Sequence, residues 1–215
     1  MTKAAPTVRQ SHVDEILARL IDNYPDAQCS LDFVKPHELL VSTILSAQCT
    51  DKQVNKVTPA LFRKYPTPQA FAEADSEELK EMIRPTGFFN NKAKSIRNAM
   101  RAVVTNFNGR VPDTLDELLQ LEGVGRKTAN VVLGDAFGTP GIVVDTHVKR
   151  IARRLGLTEN NDPVRIEFDL MALIPEEHWT LFGHLIIDHG RAICQARKPR
   201  CQDCFLHDIC PSAKP

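Results

Sequence analysis

The stretch Leu121-Glu-Gly-Val-Gly-Arg-Lys-Thr-Ala-Asn130 sets an amine where a cation is electrostatically out of place. Gly123 and Gly125 permit positive φ and close backbone approach, so one helix can end and the next open within a few residues. The first-turn amides of the new helix, at its positive dipole end, form an anion site that suits a phosphate, with Gly123, Val124, Gly125 and Arg126 around it. Lys127 falls in that first turn, where the helix dipole disfavours positive charge. A lysine placed against that preference is a candidate for its amine, because the neutral form is a nucleophile and burial together with the dipole would favour it. Neighbouring phosphates would oppose this. A tight helix corner and a surface lysine that meets phosphate as a point charge explain the same residues, and spacing alone leaves both open.

A carboxylate and a set of thiols follow. Asp145, in Val143-Val-Asp-Thr-His-Val-Lys-Arg150, stands just before a helix whose apolar stripe begins at Val148. Its plain role is an N-cap. A carboxylate in a cleft beside a lysine can also orient the amine, stabilise a developing cation or shuttle a proton, and sequence does not separate these roles. His147 reads as a capping, packing or contact residue outside the catalytic set, and Lys149, Arg150, Arg153 and Arg154 form a basic face on the same helix. Near the C-terminus, Cys194, Cys201, Cys204 and Cys210 have the spacing C-x6-C-x2-C-x5-C, with Arg197, Lys198 and Arg200 inside the first loop. Four thiolates in so short a run indicate a structural metal site, and the spacing accepts either zinc or a [4Fe–4S] cluster. Cys49 reads as a small buried filler.

The elements that must position these groups are helical. The 215 residues are 42% hydrophobic and 25% charged, a globular composition that excludes a disordered or fibrous chain. No stretch reaches the roughly 20 apolar residues of a membrane span, and the N-terminus lacks an apolar signal core, so a cytoplasmic protein is expected. Helix-face spacing recurs at Ala93, Ile96, Met100, Val103 and Phe107, at Ala129, Val132, Leu133 and Ala136, and at Val148, Ile151, Ala152 and Leu155. Further helices are expected near 8–23, 37–48, 51–64, 76–84, 114–120, 162–173 and 177–189. Only Gly141-Ile-Val-Val144 reads as extended, too short for a sheet, so the fold class is all-α. Lys+Arg and Asp+Glu both total 27, which alone would argue against a polyanion ligand. From Arg84 to Arg154, however, twelve basic residues face six acidic ones, whereas from Leu155 to Trp179 the balance is acidic. Such segregation suits one face that meets a polyanion and another that avoids it.

The motifs LEGVGRKTANVVL and VDTHVKR, the cysteine tail and Leu45-Ser-Ala-Gln-Cys-Thr-Asp51 together resemble the endonuclease III family, over residues 11 to 210. The resemblance implies helix-hairpin-helix recognition of the DNA backbone, with Lys127 as Schiff-base nucleophile, Asp145 as catalytic carboxylate and a [4Fe–4S] cluster on the four cysteines. It implies two helical lobes flanking a DNA cleft: a six-helix barrel over 29–139, and a discontinuous lobe joining 1–28 to 140–215. Gln48 matches the residue that fills the space a damaged nucleotide vacates. Phe88, in Thr86-Gly-Phe-Phe-Asn90, stands where the family pattern has a leucine wedge, and an aromatic can stack where an aliphatic only fills.

The expected function is that of a monomeric, bifunctional DNA glycosylase and abasic-site lyase acting on oxidised pyrimidines and abasic sites in double-stranded DNA. The expected DNA contacts are Gln48, Phe88, Gly123, Val124, Gly125, Arg126, His147, Lys149, Arg150, Lys198 and Arg200. Two other classes fit parts of the pattern. A monofunctional adenine-mismatch glycosylase is expected to lack the lysine and to carry a further C-terminal domain, so Lys127 and the chain end at Pro215 speak against it. A noncatalytic DNA-binding module with structural zinc would need neither Lys127 nor Asp145.

Overall fold

The computed structural model describes residues 10–214. The described residues form eleven α-helices, three short 3-10 turns and no strand, in line with the all-α expectation. By compactness the chain divides into two units, Cys29–Thr139 and the combination of Met1–Gln28 with Pro140–Pro215.

Cys29–Thr139 contains α2 (Pro36–Leu45), α3 (Asp51–Lys64), α4 (Pro68–Ala72), α5 (Ser76–Ile83), α6 (Phe89–Asn106), α7 (Leu115–Leu118) and α8 (Arg126–Phe137). Where the family pattern implies six helices, seven helical stretches are present, two of them only about a turn long. Helix α2 is buried from His37 to Leu45. A helix apolar on every face belongs at the centre of its unit. Helix α6 buries the expected stripe, with Ala93, Ile96, Met100 and Val103 at zero exposure. Thr50, Thr67, Asp75 and Thr114 start their helices by accepting first-turn amide hydrogens, each cap contributing about 1 kcal/mol.

The second unit contains α1 (Gln10–Asn23), α9 (Thr146–Arg154), α10 (Pro163–Met171) and α11 (Trp179–Ala192), followed by the cysteine loop. Its core joins Ile16 and Leu20 of α1 to Ile151, Leu185, Ile186 and Leu206. Arg19 locks α1 to the end of the chain, donating to Asp208 Oδ1 at 2.5 Å, Asp208 Oδ2 at 3.1 Å and the Phe205 carbonyl at 2.8 Å.

Several boundaries differ from expectation. The expected start of α1 at residues 8–9 lies outside the described residues. Helix α2 stops at Leu45, not 48, because the chain turns over Ser46–Thr50 with Gln48 at φ 54°. Helix α4 is unforeseen; Thr67 caps it and Pro68 supplies a preset φ at its first position. The expected helix over 177–189 runs from 179 to 192 behind a 3-10 turn at Glu176–His178.

Candidate active site and cluster loop

The hairpin turn 119–125 is moored to α6. Leu121 and Val124 are buried, and Asn98 Nδ2 donates to Glu122 Oε2 at 2.7 Å. Of the two glycines only Gly123 uses the left-handed region, at φ 80°. A Cβ there would also stand 2.7 Å from Ser95 Cβ, so conformation and close approach both require glycine. Gly125 has an extended φ of −97° and is the N-cap of α8. No side chain caps that helix. A serine or aspartate would have filled the anion position with its own oxygen, as Asp145 and Asp162 do on α9 and α10. Lys127, the second residue of α8, is exposed, so the burial expected for it is absent. Its Nζ makes no hydrogen bond or ion pair among the described residues.

Asp145 caps α9 with a single oxygen. Oδ1 accepts from His147 N and Val148 N, each at 2.8 Å, and Oδ2 accepts no hydrogen bond among the described residues. The N-cap reading and the catalytic reading therefore use different oxygens of one carboxylate. Thr146, Lys149, Arg150, Arg153, Arg154 and Ser212 line an open groove of about 600 Å³ beside α9. This basic face is less uniform than its sequence suggests. Arg153 is exposed, but Arg150 donates to the Cys194 carbonyl at 3.0 Å, and Arg154 donates to the Gln195 and Ala196 carbonyls at 2.8 and 2.9 Å. Arg150 and Arg154 tie α9 to the cysteine loop.

Gln48 and Phe88 share an unusual backbone. Both are non-glycine residues in the left-handed region, at φ 54° and 49°. Both are exposed, Phe88 at 62%. A large aromatic left in solvent on a strained backbone is not core filler, and such strain concentrates at functional positions. Spacing holds no signal for Lys92, whose buried ammonium lies near both.

Cys194, Cys201, Cys204 and Cys210 line one cavity of about 240 Å³. Arg154, His189, Ile193 and Leu206 line the same cavity. Among the described residues no three His, Cys, Asp or Glu side chains converge closely enough to hold a single ion. The sulfurs also have donors suited to thiolates: Arg154 Nη1 donates to Cys194 Sγ at 3.2 Å and Leu206 N to Cys204 Sγ at 3.4 Å. His189 Nε2 lies 3.7 Å from Cys204 Sγ, and its Nδ1 is 3.2 Å from the Tyr24 hydroxyl. With Nδ1 accepting the Tyr24 proton, the Nε2 hydrogen points at sulfur; burial pushes the His189 pKa down to about 4, so the ring stays neutral. Cavity and donors fit a multinuclear cluster. Lys198 is exposed beside it, whereas Arg200 donates to the Ala192 carbonyl at 2.6 Å and braces the loop.

Residues 41–176 match the HhH-GPD superfamily of base excision DNA repair proteins, and residues 194–210 match the iron–sulfur binding domain of endonuclease III. The chain is 57% identical to endonuclease III of Synechocystis over 207 residues, covering 96% of this chain and 94% of that protein. It is 43% identical to endonuclease III of Escherichia coli over 196 residues, covering 91% and 93%. A solved non-covalent endonuclease III–DNA complex superposes with a TM-score of 0.92 at 42% identity, covering 96% of this chain and 97% of that one. A trapped endonuclease III–DNA covalent intermediate gives the same score and identity, covering 96% and 98%. With the uncapped hairpin helix, the lysine in its first turn and the four-cysteine cavity in a single chain, this protein belongs to the endonuclease III family.

Proposed function

We propose that this protein is a bifunctional DNA glycosylase and abasic-site lyase that removes oxidised pyrimidines from duplex DNA in base-excision repair. The observation that carries the reading is Lys127, an exposed amine with no partner among the described residues, in the first turn of a helix whose end no side chain caps. The hairpin amides take a phosphate, the exposed basic residues Arg153 and Lys198 take others, and the lesion is extruded from the stack, while Lys149 is half-buried with its Nζ donating to the Asn161 carbonyl at 2.7 Å. Phe88 wedges the duplex and Gln48 fills the gap.

The Nζ lone pair of Lys127 then forms a bond to the sugar C1′ as the bond to the base breaks, with the electron pair leaving on the base. Asp145 Oδ2 favours the cationic sugar of the transition state, while Oδ1 stays committed to the helix cap. Transfer of one amine proton to the ring oxygen as its bond to C1′ breaks opens the sugar and gives a protonated imine, which acidifies C2′. Removal of a C2′ proton expels the 3′ phosphate oxygen and cuts the strand. The cofactor is a [4Fe–4S] cluster held by Cys194, Cys201, Cys204 and Cys210; it supplies cross-links that keep the surrounding loop rigid. The protein works as a monomer on nucleoid DNA in the cytoplasm, and among the described residues no helix is long and apolar enough to cross a membrane.

Borohydride reduction during turnover tests the assignment. The parent protein is expected to be trapped covalently on lesion duplex, and Lys127→Ala to bind that duplex without trapping. A Lys127→Ala protein trapped at normal yield would move the chemistry to another amine.

A further inference from the structure

Lys92, the fourth residue of α6, is only 4% exposed. Its Nζ donates to two carbonyls, Leu45 O and Thr86 O, each at 2.8 Å. Leu45 ends α2 and Thr86 ends the 3-10 turn Arg84–Thr86. The acceptors therefore sit at the roots of two separate loops, one leading within three residues to Gln48 and the other within two to Phe88. Lys92 holds the second loop by its backbone as well, its N–H donating to the Phe88 carbonyl at 3.1 Å.

Hiding an ammonium is costly unless charge-assisted bonds and a favourable field offset the loss of water. Burial pushes the pKa of Lys92 below the ordinary lysine value, as expected for a hidden charge, while Cys49 pulls it upward. The field is supplied by the negative end of α2, whose last carbonyls have no partner within their own helix. The third relevant fact is strain. Among the described non-glycine residues only Gln48, Phe88 and Asn108 have positive φ, and two of these three stand just beyond the carbonyls that Lys92 grips. Strained backbone persists only where its surroundings over-determine it.

We infer that Lys92 is a positioning residue whose ammonium fastens the Gln48 loop to the Phe88 loop, so that the two side chains enter a duplex as one rigid element. The inference rests on the proposed insertion of Gln48 and Phe88.

Its test compares single-turnover rates on duplex carrying an oxidised pyrimidine with rates on duplex carrying a preformed abasic site, where little unstacking remains. Lys92→Met is expected to lose about tenfold more on the first substrate than on the second, because extrusion and not chemistry is impaired. Combined with Gln48→Ala or Phe88→Ala, it is expected to add little to the loss of either change alone, the sign of groups acting as a unit. Equal losses on both substrates, or additive losses in the double variants, would reduce Lys92 to a fold stabiliser and overturn the inference. Should Lys92→Met not fold, Lys92→Gln keeps a shorter, uncharged donor. Hydrogen exchange in the free protein then reads the clamp directly: the amides of 46–50 and 84–88 are expected to lose protection together, and loss in one loop alone overturns it. If Gln48→Ala and Phe88→Ala themselves show no substrate selectivity, the insertion reading fails, while the exchange result still reports separately on the clamp.

Discussion

Gly190 of α11 lies so close beneath His147 of α9 that a Cβ at position 190 would stand 2.3 Å from the ring Nδ1. It would also meet Ile151 Cδ1 at 2.9 Å and Arg150 Nη2 at 3.1 Å. On helix propensity alone Gly190→Ala would stabilise by up to about 1 kcal/mol. Overpacking of a filled interior costs about 1–3 kcal/mol, so the clash wins. The substitution is expected to lower the melting temperature by several degrees, at roughly 2–4 °C per kcal/mol for a chain of this size. Because α9 must give way, and Asp145 begins α9, lyase activity at 25 °C, well below the melting range, is expected to fall as well. A melting curve and an abasic-site cleavage assay on one preparation check both.

Asp145→Asn and Asp145→Ala separate the helix cap of this carboxylate from its proposed catalytic role. Asparagine keeps an acceptor for His147 N and Val148 N, so its stability is expected to match the parent within a few tenths of a kcal/mol, whereas alanine is expected to lose about 1 kcal/mol. Both are expected to lose about 10²–10⁴ in rate, since each removes the charge at Oδ2. Urea melts and single-turnover rates check the split; an active Asp145→Asn protein would remove the carboxylate from the chemistry.

Some of this is legible in the sequence, and the rest is hidden for identifiable reasons. Helix α3 runs from Asp51 to Lys64 as its threonine cap and its apolar spacing require. The α6 stripe and the cysteine loop are equally plain, because periodicity and thiol spacing are local signals. Gln48 reads as the end of a helix, since nothing in Ser46–Thr50 announces a left-handed residue that is not glycine. Arg150 and Arg154 read as surface charge and Lys92 gives no signal, because a basic residue on a helix carries no mark of the carbonyl it will meet. Those acceptors come from other segments of the chain, and only the fold brings them within reach. Asp145 is ambiguous in principle, because an N-cap and a proposed catalytic carboxylate call for the same residue type at the same place.

Salt dependence is expected to distinguish Lys198 from Arg200. Each phosphate that is no longer neutralised should flatten the plot of log affinity against log salt by about 0.9. Lys198→Glu is expected to do this without changing the melting temperature. Arg200→Glu removes the bond to the Ala192 carbonyl and should also loosen the loop. Fluorescence anisotropy on undamaged duplex across a salt series reads the slope; an unchanged slope in Lys198→Glu would take the loop off the DNA.

Purified protein is expected to be yellow-brown and to carry about four irons with matching sulfide, as a four-thiolate cluster requires. Cys204→Ala should lose both colour and iron, with a melting temperature well below that of the parent, because Leu206 N loses its sulfur acceptor and the cavity loses a wall. Iron analysis and visible absorbance decide this, and stoichiometric zinc without sulfide would contradict it.

The joining of Met1–Gln28 to Pro140–Pro215 has a consequence during synthesis. Helix α1 leaves the ribosome first, but the surfaces that cover Val13, Ile16, Leu17 and Leu20 are made last, Leu206 among them. Cys29–Thr139 is translated entirely within that interval, and at about 5–20 residues per second it has on the order of ten seconds in which to fold as a unit. For that time the nascent chain carries a naked apolar stripe ahead of a finished globule. Vectorial production thus makes α1 wait for its partners, and leaves its apolar stripe uncovered until Leu206 has been synthesised.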